Sequence, residues 1–288
     1  MDITGSNTMV TFGGPIENDL IKHRVRKKMI RRSFVFLPSI GRATEKRIWN
    51  KGVTTWSEFL AADRIAGFSN KRKDDLDVRL AEAEHFLNGE RTEYFCNLLP
   101  STEQWRLFEE LRKGTAYLDI ESDGIGPGHV VTMVGILHKG RMTTLVRGQD
   151  LTQSGIREAL DGVKMLVTFN GSSFDLPMIE HEFPFSVPRV PHYDLRHICP
   201  KAGYHGGLKS VEQQIGISRP QELEYVTGEQ AVYLWHLWNR KGNRNALNLL
   251  TRYNTEDVKN LEPLADIVYQ IMKGKMLRDI NAINERRS

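Results

Sequence analysis

The sequence predicts an α/β fold in which a mixed sheet is flanked by helices and preceded by a smaller all-α region. Two observations lead to this prediction. Residues 21–100 show only helical patterns, whereas from residue 115 onwards apolar, strand-like runs alternate with amphipathic helical segments. The first three runs follow one another through short loops, as in an antiparallel meander, and the later runs are separated by helices. A sheet of this kind needs helices on its faces, and the sequence supplies them.

The all-α region is predicted from helix start and stop signals. The predicted segments are a basic helix or arm at 19–32, short helices at 41–52 and 54–62, and a longer helix at 72–89 that ends at Gly89. A helix over 101–114, capped by Ser101, is expected to link this region to the next. We expect residues 1–20 to be disordered and residues 276–288 to form a tail.

The α/β region is expected to span residues 115–275. Its predicted strands cover 115–122, 129–140, 141–148, 164–171 and 190–198, and its predicted helices cover 152–163, 172–183, 207–216 and 230–273. This order places three strands first and then alternates helix and strand.

Composition indicates a protein that stays in the cytoplasm. Of the 288 residues, 26% are charged and 40% hydrophobic, as is usual for globular proteins. We see no apolar run of the roughly 18–20 residues that a membrane span needs, and no secretory signal pattern at the N-terminus. Cys96 and Cys199 are far apart and belong to no CxxC pair. We therefore expect neither disulfides nor structural zinc, and no membrane partner.

Positive charge is concentrated near the N-terminus. Residues 22–51 contain 11 Lys and Arg residues against one acid, Glu45. Such a block favours a polyanionic partner such as nucleic acid. A solvated basic helix without a partner is the alternative.

Carboxylates follow the first predicted strand of the sheet. Asp119 and Glu121 are two residues apart, so on a strand they point to the same face. Their mutual repulsion would destabilise the strand unless a cation lies between them. The alternative is a strand end that runs into solvent, where acids are common.

Two further stretches place polar groups where they could join this pair. In "LVTFNGSSFDLPMI", a strand ends at Asn170 and Asp175 falls in the first turn of the next helix, where an acid also suits the helix dipole. In "TRYNTEDVKNLEPL", Tyr253 and Asp257 are four residues apart and share a helix face. An ordinary helix surface would show the same spacing. Strand ends in open α/β sheets are, however, where ligands bind.

Together these three stretches resemble the exonuclease motifs of the DEDD superfamily in its tyrosine subtype. The resemblance covers about residues 115–272 and implies a ribonuclease-H-like fold. It implies that two Mg²⁺ or Mn²⁺ ions are bound by four carboxylates, and that a tyrosine orients or helps to deprotonate the attacking water. The implied catalytic residues are Asp119, Glu121, Asp175, Tyr253 and Asp257.

The implied activity is 3′→5′ exonuclease cleavage that releases nucleoside 5′-monophosphates. We expect single-stranded DNA ends as substrate, with RNA left open. Asn170, Phe174 and Lys209 are the expected substrate contacts in this part of the chain, and Asp194 is either a strand-end acid or a further contact. Two alternatives stay open: a structure-selective endonuclease with the same site, and a nucleic-acid-binding module without catalysis.

The basic region contains a segment that resembles a helix-hairpin-helix element. Leu37-Pro38-Ser39-Ile40-Gly41 stands where that family has its hairpin, and Ser39 replaces its first glycine. Such a hairpin binds a phosphate through backbone N–H groups. We expect Arg42, Lys46 and Arg47, which follow it, to bind substrate. A purely structural helical hairpin is the alternative.

Overall fold

The computed structural model describes residues 28–126 and 128–285, and within them the predicted α/β fold is confirmed. A mixed five-stranded sheet carries helices on its faces and follows a helical N-terminal region. The predicted disordered segment, residues 1–20, and most of the predicted basic arm lie outside the described residues. Among the described helices, none has the length and apolar character that crossing a membrane requires.

The sheet has the spatial order β3-β2-β1-β4-β5. The strands are β1 (Thr115–Ser122), β2 (Val131–His138), β3 (Arg141–Val146), β4 (Met165–Thr168) and β5 (His192–Asp194). The first three form the predicted antiparallel meander, and β1 also pairs in parallel with β4. All eight residues of β2 are buried because helices cover both faces of the sheet centre.

The helices alternate with the later strands as predicted. They are α1 (Arg42–Asn50), α2 (Trp56–Ala61), α3 (Asn70–Asn88), α4 (Glu93–Cys96), α5 (Phe108–Leu111), α6 (Gln153–Ala159), α7 (Asp175–Glu182), α8 (Leu195–Ala202), α9 (Leu208–Ile215), α10 (Gln221–Glu224), α11 (Gly228–Lys241) and α12 (Arg244–Glu285). Helix α2 begins with a capping box between Thr55 and Glu58. Helix α3 ends before Gly89, as predicted.

The turn before α1 is tight although it contains serine. Ser39 adopts a left-handed conformation with φ of 57°, and the backbone N–H of Ile40 donates to the carbonyl of Leu37 at 3.1 Å. Helix α1 then begins at Arg42, with Gly41 as its N-cap. Serine therefore occupies a conformation that favours glycine.

The segment 101–114 is not the single capped helix that the sequence predicts. It consists of 3₁₀ turns at Ser101–Leu107 and Arg112–Gly114 on either side of α5, and Pro100, not Ser101, is the N-cap. A 3₁₀ turn places residues three apart side by side. Glu103 and Arg106 therefore meet, with 2.8 Å between Oε2 and Nε, in a buried ion pair.

Other boundaries also differ from the prediction. Strand β5 ends at Asp194, whose carboxylate accepts from the backbone N–H of Arg196 and caps α8, so residues 195–198 of the predicted strand 190–198 are helical. Helix α7 begins at Asp175, three residues after the expected start at Ser172, because the backbone N–H and the hydroxyl of Ser172 donate to Asp194. The long helical region 230–273 is divided at Gly242, whose φ is 63°. Helix α12 then continues to residue 285, so the described part of the expected tail is helical.

One hydrophobic core joins the N-terminal region to the sheet. It contains residues from Met29 to Ile280. At the junction, the ring of Phe108 lies 5.5 Å from that of Tyr193 and 5.6 Å from that of Tyr269. The helical region therefore packs directly on the α/β part of the molecule.

Candidate metal centre

Three of the predicted metal ligands come together at the sheet. Asp119 and Glu121 project from the same face of β1, and Asp257 projects from α12, which packs across β1 and β2. One carboxylate oxygen from each lies within 4.8 Å of the others. Glu121 and Asp257 are buried and Asp119 is half-buried. This spacing lets a single cation contact all three.

Asn254 holds α12 in place against the strand. Its Nδ2 donates to Oδ2 of Asp119 at 3.0 Å and to the Asp119 carbonyl at 3.3 Å. The side chain is fully buried. Sequence analysis did not single out Asn254, although its position three residues before Asp257 on the same helix face was a usable signal.

Asp175, the fourth predicted ligand, lies outside the group of three but contacts the same strand. Pairing between β1 and β4 ends at Tyr117, and beyond it Oδ1 of Asp175 accepts from the backbone N–H of Ile120 at 3.2 Å. Asp175 thus occupies the strand edge between Asp119 and Glu121.

The loop before Asp175 is shaped by Asp194 at the end of β5. Its carboxylate accepts from the backbone N–H of Asn170 at 2.8 Å and of Ser172 at 3.0 Å, and from the Ser172 hydroxyl at 2.5 Å. Burial opposes the charge, but these hydrogen bonds hold the pKa of Asp194 below its ordinary value. The loop allows Asn170 its left-handed φ of 74°. Asp194 therefore fixes the backbone of the loop that leads to Asp175.

The carboxylates destabilise one another without a cation. Burial and repulsion from Asp257 and Asp175 raise the pKa values of Asp119 and Glu121 well above the ordinary range. Burial raises the pKa of Asp175 to about 7 and that of Asp257 to about 6. Oε1 of Glu121 is buried without a hydrogen bond donor among the described residues, whereas Oδ1 of Asp257 is paired with the guanidinium of Arg219.

This donor set fits a hard divalent cation such as Mg²⁺ or Mn²⁺. Such ions prefer oxygen ligands, and carboxylates supply both the oxygens and the compensating charge. A bound cation would give the orphaned Glu121 oxygen a partner and lower the raised pKa values.

Tyr253 lies between the carboxylates and two cationic side chains. Burial and the nearby Asp257 raise the pKa of its hydroxyl. Lys209 Nζ lies 5.0 Å from the centre of its ring and the Arg219 guanidinium carbon lies 5.8 Å from it. Arg219 also forms an ion pair with Asp257. Sequence analysis singled out Lys209 but not Arg219, because nothing in "GISRP" marks it.

The remaining predicted substrate contacts are distributed over two regions. Phe174 and Asn170 are half-buried in the loop before α7. Arg42 forms an ion pair with Glu103, and Lys46 Nζ lies 2.8 Å from Oδ2 of Asp279. Arg42 and Lys46 line a cavity of about 460 Å³ between α1 and α12, whereas Arg47 lines another of about 450 Å³. None of the three carboxylates of the metal site lines either cavity.

Comparison with known proteins gave one family and one solved structure. The model of the RNase_H superfamily matches residues 116–269, more than half of the chain. The family B DNA polymerase from the hyperthermophilic archaeon Pyrobaculum calidifontis is similar over 54% of this chain and 24% of its own length, with 17% sequence identity and a TM-score of 0.44. The chain thus spans about a quarter of that polymerase. No curated protein matches the chain.

Proposed function

Because the chain belongs to the RNase H superfamily, we propose that it is a metal-dependent nuclease that shortens single-stranded nucleic acid from the 3′ end. DNA is the favoured substrate and nucleoside 5′-monophosphates are the products. The convergence of Asp119, Glu121 and Asp257 on one point, with Oε1 of Glu121 buried and without a donor among the described residues, carries the proposal.

In this proposal the carboxylates hold two divalent ions, with Asp175 completing the set from the edge of β1. Ions bound there would supply an activated water and stabilise the leaving oxygen. The Tyr253 hydroxyl, whose pKa is raised by burial and by the nearby Asp257, is protonated at neutral pH and would donate a hydrogen bond that orients the water. Asn170 and Phe174 border Asp175 and would contact the terminal nucleotide.

The direction of cleavage rests on the resemblance of the three motifs to the DEDD exonucleases. An endonuclease would use the same carboxylates without a site for a chain end. Circular single-stranded DNA separates the two activities, because it offers no end.

The test is a cleavage assay on 5′-labelled DNA and RNA of one sequence, with Mg²⁺ or Mn²⁺. We expect a ladder that shortens by one nucleotide at a time from the 3′ end, intact circles, and no cleavage by Asp119→Asn. Asp161→Asn is the matched control, since Asp161 is an exposed acid in a turn outside the site. Internal cuts would contradict the direction, and metal-dependent cleavage by pure Asp119→Asn would contradict the site.

A measurement of metal binding distinguishes the proposed enzyme from a non-catalytic nucleic-acid-binding module with the same fold. We expect Mn²⁺ to bind the wild-type protein and to bind Asp257→Asn at least tenfold more weakly. Absence of Mn²⁺ binding together with tight oligonucleotide binding would favour the module.

We also propose that the basic N-terminal region binds the substrate backbone. Arg47 is exposed and its guanidinium contacts only the hydroxyl of Thr44 in the described structure, so its charge is available to a phosphate. Arg47→Gln should weaken DNA binding and lower the slope of log K against log salt by about one. Arg141→Gln, an exposed arginine on β3, should leave both unchanged. Equal slopes for the two variants would contradict this role.

A further inference from the structure

Arg219 is the cation nearest to the proposed metal centre. It lies between α9 and α10, and only 5% of its side chain is exposed. Its Nε donates to Glu212 at 2.6 Å and its Nη2 to the other oxygen of Glu212 at 2.7 Å. Nη2 also pairs with Oδ1 of Asp257. Glu212 accepts in addition from Asn260 at 3.2 Å.

The guanidinium has more donors than this set of partners uses. Its Nη1 is buried and donates to no acceptor among the described residues. Buried guanidinium donors are nearly always satisfied, because leaving one unpaired costs the desolvation of a charged group. A missing acceptor is therefore expected beside Arg219, and its charge should be negative.

The charges around the site point to the same ligand. Two divalent cations would balance the four carboxylates of Asp119, Glu121, Asp175 and Asp257. Glu212 balances one of the two neighbouring cations, Arg219 and Lys209. One positive charge then remains, which matches the single negative charge of a phosphodiester group and offsets part of the charge of a phosphate monoester.

We propose that Arg219 binds the phosphate of the nucleotide in the active site, and that its contact with Asp257 is exchanged for this phosphate when Asp257 takes up a metal ion. The proposal rests on the proposed nuclease function. Arg219 remains attached to Glu212 in both states, so only the Asp257 contact changes. Its planar fork suits the paired oxygens of a phosphate.

The experiment measures metal and nucleotide binding separately. Calorimetry with Mn²⁺ alone, and then with thymidine 5′-monophosphate in saturating Mn²⁺, is applied to the wild type, Arg219→Gln and Arg219→Lys. We expect Arg219→Gln to bind Mn²⁺ at least as tightly as the wild type, because a competing cation is gone. It should bind the nucleotide at least tenfold more weakly.

Arg252→Gln is the matched control. Arg252 is an exposed arginine of α12, the helix that carries Asp257, and it pairs with Glu222 of α10, the helix that follows Arg219. It should bind both probes like the wild type. Arg219→Lys keeps a positive charge beside Glu212, and it replaces Arg219→Gln in the binding measurements if that variant does not fold. We expect it to bind the nucleotide about threefold to tenfold more weakly.

The outcomes distinguish this proposal from the function on which it rests. Unchanged nucleotide affinity in the folded Arg219 variants overturns the proposal for Arg219 alone. Loss of Mn²⁺ binding in these variants also overturns it, because Arg219 would then be needed to hold Asp257 in position for the metal ion. A wild-type protein that binds no Mn²⁺ overturns the nuclease function and this proposal with it.

Discussion

Gly135 and Asn254 approach each other so closely that no side chain fits between them. A Cβ atom at position 135 would lie 2.1 Å from Oδ1 of Asn254 and 2.8 Å from Cγ2 of Val258. Gly135 lies opposite Asp119 in the pairing of β1 with β2. The absence of a side chain at Gly135 therefore lets α12 pack closely against the sheet next to Asp119.

Gly135→Ala should displace α12 and separate Asp257 from Asp119. We expect Mn²⁺ affinity to fall at least tenfold and cleavage to fall further, since both depend on the relative positions of these carboxylates. Gly228→Ala is the control, because a Cβ there meets nothing within 4 Å. Wild-type Mn²⁺ affinity in Gly135→Ala would show that the helix is not held by this contact.

Asp194→Asn should loosen the loop that carries Asn170 and leads to Asp175. An amide accepts less strongly than a carboxylate and cannot satisfy the same set of donors. We expect kcat to fall by about 10–100-fold with a smaller change in KM, a range typical of lost supporting contacts. Ser172→Ala should be milder, because the backbone N–H of Ser172 still reaches Asp194. A larger loss in Ser172→Ala than in Asp194→Asn would contradict this account.

Stability without metal should depend on pH in an unusual direction. The folded-state pKa values of Asp175 and Asp257, about 7 and about 6, lie above the ordinary value of 3.8. The folded protein therefore binds more protons than the unfolded chain between about pH 4 and pH 7, and the free energy of unfolding falls as pH rises through this range.

In EDTA we expect Tm to be higher at pH 5.5 than at pH 8, and Mn²⁺ to raise Tm most at pH 8. Asp175→Asn should reduce the difference between the two pH values. A Tm in EDTA that increases from pH 5.5 to pH 8 would contradict the pKa directions on which this prediction depends.

Tyr253→Phe removes the hydroxyl and keeps the ring, so it measures the contribution of the hydroxyl alone. The ring still lies beside Lys209 and Arg219, so Mn²⁺ and nucleotide affinity should change less than twofold. Cleavage should slow by about 10²-fold or more, the usual effect of losing a group that orients the attacking water. Wild-type cleavage by this variant would remove Tyr253 from the mechanism.

The buried ion pairs of Arg106 should matter far more than the exposed pair of Lys46. Arg106 Nη1 donates to Glu45 at 2.8 Å, and both side chains are almost fully buried. Arg106→Met leaves the buried Glu45 without its cation, while Glu103 keeps its pair with Arg42, and should cost about 3–5 kcal/mol of unfolding free energy. Lys46→Met breaks a half-exposed pair and should cost about 0–1 kcal/mol. Urea unfolding measures both, and similar values would contradict the argument.

Local patterns predicted much of this fold, and contacts between distant segments explain the differences. Strand β1 has the predicted bounds, because its apolar run and the following acids are contiguous. The sequence also predicted that Asp119, Glu121 and Asp257 belong together. It could not predict Arg219 or Gly135, because Asp257 and Asn254, the site residues that they meet, lie far along the chain. The late start of α7 has the same origin, since Ser172 binds Asp194 instead of capping the helix.

Helix α12 fixes the distance between the candidate metal site and the basic N-terminal region. Asp257, about a third of the way along this helix, faces the carboxylates, and Asp279, about six turns further on, pairs with Lys46 of α1. This separation is about 33 Å along the helix axis. Phosphates of one strand follow each other at about 3.4 Å in a duplex. If a stacked strand binds both the candidate metal site and the basic region, as proposed, it needs about ten nucleotides to reach from one to the other, and shorter oligonucleotides would bind one of them at a time.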